Sequence, residues 1–68
     1  MALSARNRLT GEVVSIETSG PMAEVVIGVD GTEITSTITS GSVERLGLEE
    51  GSTATAVIKA SDVMVDSE

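Results

Sequence analysis

A chain of 68 residues with no cysteine, histidine or aromatic residue can hold one small domain, spanning 1–68, whose core must come from aliphatic side chains. Disulfides and histidine-containing metal sites are excluded, so self-association is the remaining common way to stabilise so short a chain. The formal net charge of −7, from 4 basic and 11 acidic residues, argues against nucleic acid or an anionic membrane as partner.

Five short β-strands are predicted, over residues 12–17, 23–29, 32–39, 53–60 and 63–65. The first is rich in β-branched residues, and Val14 and Ile16 should lie on one face of it. The second has Ala, Val, Ile and Val at every second position, which is typical of a half-buried strand. Asp30-Gly31 predicts a type I′ hairpin turn before the third strand, because both central positions of that turn need a positive φ.

A short helix is predicted between the third and fourth strands. Ser40 or Ser42 can cap its first turn with a side-chain oxygen, and Gly47 is placed to end it in the left-handed conformation. This order of elements predicts an all-β fold, a small five-stranded barrel like the oligonucleotide/oligosaccharide-binding (OB) fold, with one short helix between strands 3 and 4.

The residues present argue against an enzyme. A serine or threonine nucleophile needs a base, and no histidine is available. Glu49-Glu50 is interpreted as solvated surface in a turn, and neither an EF-hand loop nor a phosphate-binding loop is present. Binding of single-stranded nucleic acid would require stacking aromatic residues and a basic groove. With no apolar run long enough for a membrane span and no signal peptide, we expect a cytoplasmic protein.

Four motifs follow one another along the chain: Ser4-Ala5-Arg6-Asn7 with Gly11, Ile38-Thr39 with Ser42, Leu46-Gly47-Leu48 with Gly51, and Lys59 to Met64. In this order and spacing they resemble the molbindins, a family of stand-alone molybdate-binding proteins, over residues 4–65. The resemblance implies a hexamer built as a trimer of dimers, with sites between subunits for molybdate or tungstate. It implies that molybdenum is bound as the oxyanion, with no organic cofactor and no side chain as a direct metal ligand.

The resemblance also implies which residues bind the oxyanion, namely Ser4, Ala5, Arg6, Thr39, Ser42, Lys59, Ala60 and Ser61. Hydroxyls, backbone N–H groups and cations suit a tetrahedral dianion, because it accepts hydrogen bonds from several directions and charge-assisted bonds are the strongest. Taken singly, these residues have ordinary alternatives: a helix cap, a strand surface position or a surface ion pair. The order of the motifs favours the anion site. Arg8 and Arg45 fall outside the positions that the resemblance assigns to it.

Three functions remain open at this stage. The first is intracellular storage or homeostasis of molybdate and tungstate, which the lack of a DNA-binding or ATPase domain favours. The alternative is a molybdate-sensing regulatory module that acts on a separate partner protein. The third is a purely structural oligomer without a ligand. The acidity of the chain suggests a high-salt host, in which case folding stability should depend on salt concentration.

Overall fold

The computed structural model describes residues 6–67, which form one antiparallel sheet and a short helix. The strands are β1 (Asn7–Ser19), β2 (Met22–Val29), β3 (Thr32–Thr39) and β4 (Thr53–Ile58); helix α1 (Ser40–Leu46) lies between β3 and β4, and a 3₁₀ turn (Ala60–Asp62) follows β4. The strand order across the sheet is β3-β2-β1-β4. The prediction of an all-β domain with one short helix between the third and fourth strands is confirmed. No helix among residues 6–67 has the length and apolar character needed to cross a membrane.

The predicted closed barrel of five strands is wrong for these residues, because the sheet is open and has four strands. Residues 63–65, expected to form the fifth strand, are in no strand, and β4 ends at Ile58 rather than at Ala60. The cause is the 3₁₀ turn, in which the Asp62 N–H donates to the Lys59 carbonyl at 2.9 Å and the Val63 N–H to the Ala60 carbonyl at 3.3 Å. These bonds turn the chain before it can continue along a strand edge. A short run of apolar residues forms a strand only where a partner edge is within reach.

A β-bulge in β1 decides which of its side chains face the core. The pairing of β1 with β2 shifts between Val13 and Ser15, and an extra residue in a strand changes the face of the side chains that follow. As a result Val13 is 1% exposed, whereas Val14 is 48% exposed. The prediction that Val14 and Ile16 lie on one face is therefore wrong: Val13 and Ile16 contribute to the core instead.

The core is small and aliphatic. Its buried members are Val13, Ala23, Val25, Ile27 and Ala56. Three of them come from alternate positions of β2, so the predicted period of two is confirmed there. Half-buried Ile34 and Ile38 of β3 pack against this cluster, which buries one face of the sheet and leaves the threonine-rich face of β3 in water.

Two predicted turns are confirmed by their backbone angles. Asp30 and Gly31 have φ of 50° and 84°, as a type I′ turn between β2 and β3 requires. Gly47 has φ of 66° and its N–H donates to the Glu44 carbonyl at 3.1 Å, which ends α1 in the left-handed conformation.

Gly11 stands where β1 changes its pairing partner. β1 pairs with β4 from Asn7 to Glu12 and with β2 from Glu12 to Ser19. A Cβ on Gly11 would fall on the Gly28 carbonyl oxygen and lie 2.9 Å from Cγ2 of Val29. Only glycine lets the two backbones approach this closely. Because β4 pairs with β1 next to Gly11, this approach sets the position of β4, and of the residues after β4, relative to β2.

Candidate functional site

The first group of expected site residues lies where β3 meets α1. Thr39 is the N-cap of the helix: its Oγ1 accepts from the Ser42 N–H at 3.0 Å and donates to Ser42 Oγ at 2.7 Å. The expectation that Ser40 or Ser42 caps the helix is therefore wrong. Ser40 Oγ instead donates to the Gly20 carbonyl at 2.9 Å, which ties the start of the helix to the turn between β1 and β2.

Arg45 joins this group, although the motifs had placed it outside the anion site. Its Nη2 donates to Ser42 Oγ at 3.1 Å. Ser42 Oγ thus accepts one hydrogen bond from Thr39 and one from Arg45, so its own hydrogen is left to donate to an acceptor outside the helix. The signal that could have revealed Arg45 is its spacing, because residues three apart on a helix are neighbours. The cluster presents a hydroxyl donor beside a guanidinium.

The second group lies at the other end of the β1–β4 ladder. The last pair of that ladder is Asn7 with Ile58, and Asn7 Nδ2 donates to the Ile58 carbonyl at 3.2 Å. Arg6 directly precedes Asn7 and Lys59 directly follows Ile58, and both cations are exposed; one further step of the ladder would put them opposite each other. Two cations in such positions would repel each other, and an anion beside them would relieve that repulsion.

The remaining expected residues extend this second group or lie outside the described part of the chain. Ala60 and Ser61 form the exposed 3₁₀ turn after Lys59, and the first N–H groups of such a turn have no partner within the turn. Ser4 and Ala5 fall outside residues 6–67, so the structure describes only six of the eight expected positions.

The structure does not bring the two groups together within one chain. Thr39 pairs with Met22, which pairs in turn with Ser19 at the carboxyl end of β1. Lys59 lies next to the amino end of β1, beyond Asn7. The 13 residues of β1 separate the two ends, a path of roughly 40 Å along the strand at about 3.3 Å per residue.

A cleft lies away from both groups, between β3 and β4. It has a volume of about 350 Å³, and none of the expected oxyanion residues lines it. Its walls come mainly from the apolar side chains on one face of the sheet, with Ser36, Thr53 and Thr55 among them, and from Leu46 at the end of α1 and Leu48 after it. An apolar lining of this kind suits a hydrophobic segment rather than a dianion.

Comparison with known proteins identifies the family. The model of the TOBE domain matches residues 3–65. The chain belongs to the TOBE-domain family. It is 50% identical to molybdenum-pterin-binding protein 1 of Clostridium pasteurianum over 66 residues, covering 96% of this chain and 97% of that protein. The resemblance to the molbindins, proposed from the four motifs, is confirmed.

Two solved structures of TOBE-domain relatives agree with the fold. A molybdate-binding protein from Sporomusa ovata superposes with a TM-score of 0.93 at 37% identity, covering 98% of this chain and 100% of that one. The cytoplasmic molybdate-binding protein ModG, in its molybdate-bound form, gives a TM-score of 0.89 at 54% identity. The match covers 94% of this chain but 46% of ModG, so this chain spans about half of that protein. The four-stranded chain therefore has the architecture of known members of the family.

Proposed function

We propose that this chain binds molybdate as the oxyanion and serves to store or buffer it in the cytoplasm. The observation that carries the proposal is the match over nearly the full length of both chains to the molybdate-binding protein of Sporomusa ovata, at a TM-score of 0.93. The relative ModG, in its molybdate-bound form, supports the same ligand. Tungstate should bind as well, because it has nearly the size and charge of molybdate. A binding role, rather than catalysis, accords with the lack of a histidine base.

We further propose that each oxyanion is held between subunits. Thr39, Ser42 and Arg45 form one group of donors, and Arg6 and Lys59 with the 3₁₀ turn form another at the opposite end of β1. A second copy of the chain can bring one group opposite the other and surround the anion with donors. A closed assembly, a hexamer built as a trimer of dimers, is the form we propose, since symmetric oligomers repeat such contacts without open ends.

The net charge of −7 does not oppose this proposal. Exposed charges farther away than a Debye length of roughly 8 Å are largely screened at physiological salt. Donors in contact with the anion act over a much shorter distance, and charge-assisted bonds are about twice as strong as neutral ones. The cations beside the anion therefore outweigh the acidic surface.

The name of the Clostridium relative raises the question of whether the molybdenum is carried on a pterin. A pterin is a flat conjugated ring, and proteins commonly hold such rings by stacking aromatic side chains on them. This chain contains no aromatic residue, whereas the described donors suit a small oxyanion. We therefore propose free molybdate as the ligand.

Titration calorimetry in sulfate-free buffer tests the ligand. We expect heat of binding with molybdate and with tungstate, and little loss of molybdate affinity in excess sulfate, because donors fixed for the larger anion cannot close in on the smaller one. Equal affinities for sulfate and molybdate would mean that the site is a general anion pocket. No heat of binding with molybdate would refute the proposal.

The absorption spectrum of the purified protein tests the pterin. Because the chain has no aromatic side chain, near-ultraviolet absorption can come only from a bound chromophore. We expect none, together with molybdenum on elemental analysis. A pterin spectrum that co-purifies with the protein would overturn the choice of free molybdate.

A further inference from the structure

The hydroxyl of Ser42 is held so that it can donate a hydrogen bond but cannot accept a further one. A serine oxygen has two lone pairs and one hydrogen. Thr39 Oγ1 donates to this oxygen at 2.7 Å and Arg45 Nη2 donates to it at 3.1 Å, so both lone pairs are occupied. The only hydrogen of the Thr39 hydroxyl points at Ser42. Of these two hydroxyls, Ser42 therefore has the one hydrogen that can reach an outside acceptor.

Arg45 occupies the second lone pair by reaching back along the helix. Helical side chains lean towards the amino end of their helix, and residues three apart are neighbours on its surface. A Cβ on Gly41 would lie 3.4 Å from Arg45 Nη1, so the guanidinium lies beside a position that has no side chain. Arg45 is exposed and has no contact with the buried core. Its removal would therefore free a lone pair of Ser42 without disturbing that core.

We propose that Arg45 is a positioning residue that sets which oxyanions Ser42 accepts, namely tetrahedral oxyanions whose oxygens carry no proton. This role rests on the proposed function, because it concerns the anion that Ser42 binds there. Molybdate and tungstate carry no proton in neutral solution, so every one of their oxygens is an acceptor. Phosphate and arsenate keep at least one proton, and the resulting O–H group needs an acceptor of its own.

A proton on the anion finds no acceptor on Ser42 while Arg45 is in place. Two O–H groups that face each other with both lone pairs of one already occupied leave a hydrogen unsatisfied, which costs more than a hydrogen bond usually gains. If the anion turns so that its O–H faces the other group of donors, it meets the side chains of Arg6 and Lys59, which have no acceptor either. Without Arg45, the Ser42 oxygen regains a lone pair that can accept from this O–H group.

Arg45 should also strengthen the bond that Ser42 donates to molybdate. A cation that donates to the Ser42 oxygen polarises the hydroxyl, and hydrogen bonds arranged in a chain strengthen one another. Loss of Arg45 should therefore weaken the binding of molybdate and relieve the penalty on phosphate. Both effects lower the ratio of the molybdate affinity to the phosphate affinity.

Arg45→Met tests this role, because methionine keeps an unbranched side chain but has no donor. Molybdate is titrated by calorimetry with and without excess phosphate, in mildly alkaline buffer where phosphate is mainly the hydrogen phosphate dianion and has the charge of molybdate. The molybdate-to-phosphate affinity ratio should fall by about two- to tenfold relative to the parent. The molybdate-to-sulfate ratio should not change, since sulfate carries no proton.

Two further variants control for charge and for the donor. Arg8→Met removes the same charge from an exposed residue of β1, far from Ser42, and should keep both ratios of the parent. Arg45→Lys keeps a cationic N–H donor and should restore much of the selectivity against phosphate. Circular dichroism and the mass from gel filtration should match the parent for each variant.

Ser42→Ala separates an action through Ser42 from a direct contact of Arg45 with the anion. If Arg45 acts through the Ser42 hydroxyl, Arg45→Met should leave the molybdate-to-phosphate ratio unchanged once Ser42 is alanine, as a double-mutant cycle reveals. The remaining lone pair of Thr39 is present with and without Arg45, so it cannot produce the difference between them.

The outcomes that would overturn this role differ from failure of the proposed function. A parent that binds molybdate while Arg45→Met keeps its ratio overturns the role of Arg45 alone. Equal falls in the phosphate and sulfate ratios would indicate a loosened site rather than a contact with a proton, and would also overturn it. The same fall in the Ser42→Ala background would place Arg45 on the anion itself. A parent that gives no heat with molybdate contradicts the proposed function, and the role of Arg45 falls with it.

Discussion

Replacing Gly11 by alanine should destabilise the fold more than adding one methyl group at any other position of β1. The new Cβ would fall on the Gly28 carbonyl oxygen and lie 2.9 Å from Val29 Cγ2. The oxygen belongs to the backbone of a paired strand, so it cannot move without disturbing the sheet. Overpacking of this kind costs about 1–3 kcal/mol, and a rigid neighbour favours the upper half of that range. Alanine recovers about 0.4–1 kcal/mol by restricting the unfolded chain. The net loss should be about 1–2.5 kcal/mol, or roughly 4–20 °C in Tm for a domain of this size.

Gly28→Ala is the matched control for this prediction. A Cβ on Gly28 would lie 3.0 Å from Cγ2 of Val14, a side chain that is half exposed and can turn to another rotamer. Its small strain of about 0.5–1 kcal/mol should nearly cancel the gain in the unfolded state. Urea unfolding followed by circular dichroism suits a chain without tyrosine or tryptophan, at one fixed protein concentration because assembly stabilises by mass action. If Gly11→Ala were as stable as Gly28→Ala, the close approach of β1 to β2 would not be the reason for this glycine.

Three further predictions concern the site and the charge of the chain. If the anion is held in a partly dehydrated seam between chains, Lys59→Ala should weaken molybdate binding by about 2–5 kcal/mol, or roughly 30- to several-thousand-fold. The control Arg8→Ala should cost less than about 1 kcal/mol of binding free energy. Equal calorimetric affinities of the two variants would show that the site is misplaced. Thr39→Ala should lower the free energy of unfolding by about 1 kcal/mol, because the helix cap is lost. Thr39→Ser should keep the parent stability. Equal urea midpoints for Thr39→Ala and the parent would argue against the cap. Glu17 stands directly opposite Glu24, so Glu17→Lys should raise the free energy of unfolding by about 0.2–1 kcal/mol. If that increase is undiminished in about 1 M potassium chloride, charge is not its cause.

Local signals in the sequence were reliable where a single backbone conformation decides the structure. Asp30-Gly31 and Gly47 have the positive φ angles that their turns require, and the alternating residues of β2 form the centre of the core. These features depend on the residue and its immediate neighbours, so the sequence alone was enough to predict them.

The errors arose where the structure depends on distant partners. Whether Val13 or Val14 is buried depends on a bulge set by the pairing of β1 with β2, which no local pattern of valines reveals. The fifth strand was predicted from the apolar residues 63–65, but a strand also needs an edge, and the turn before it leads the chain away. For the site, the motifs led to Thr39 and Ser42, while Arg45 joined them only through the helix geometry that places it over Ser42.

The two separated groups of donors bear on how the proposed site could form. Within residues 6–67, the chain holds its hydroxyl cluster at one end of β1, and Arg6 and Lys59 lie at the other end. If the anion binds between chains as proposed, a second chain would bring one group of donors opposite the other. In that arrangement the anion and the neighbouring chain stabilise each other, because a ligand that binds only the assembled form shifts the equilibrium towards assembly, and the coupling is reciprocal. A chain too short to build a large core can thus gain stability and a binding site from the same contact.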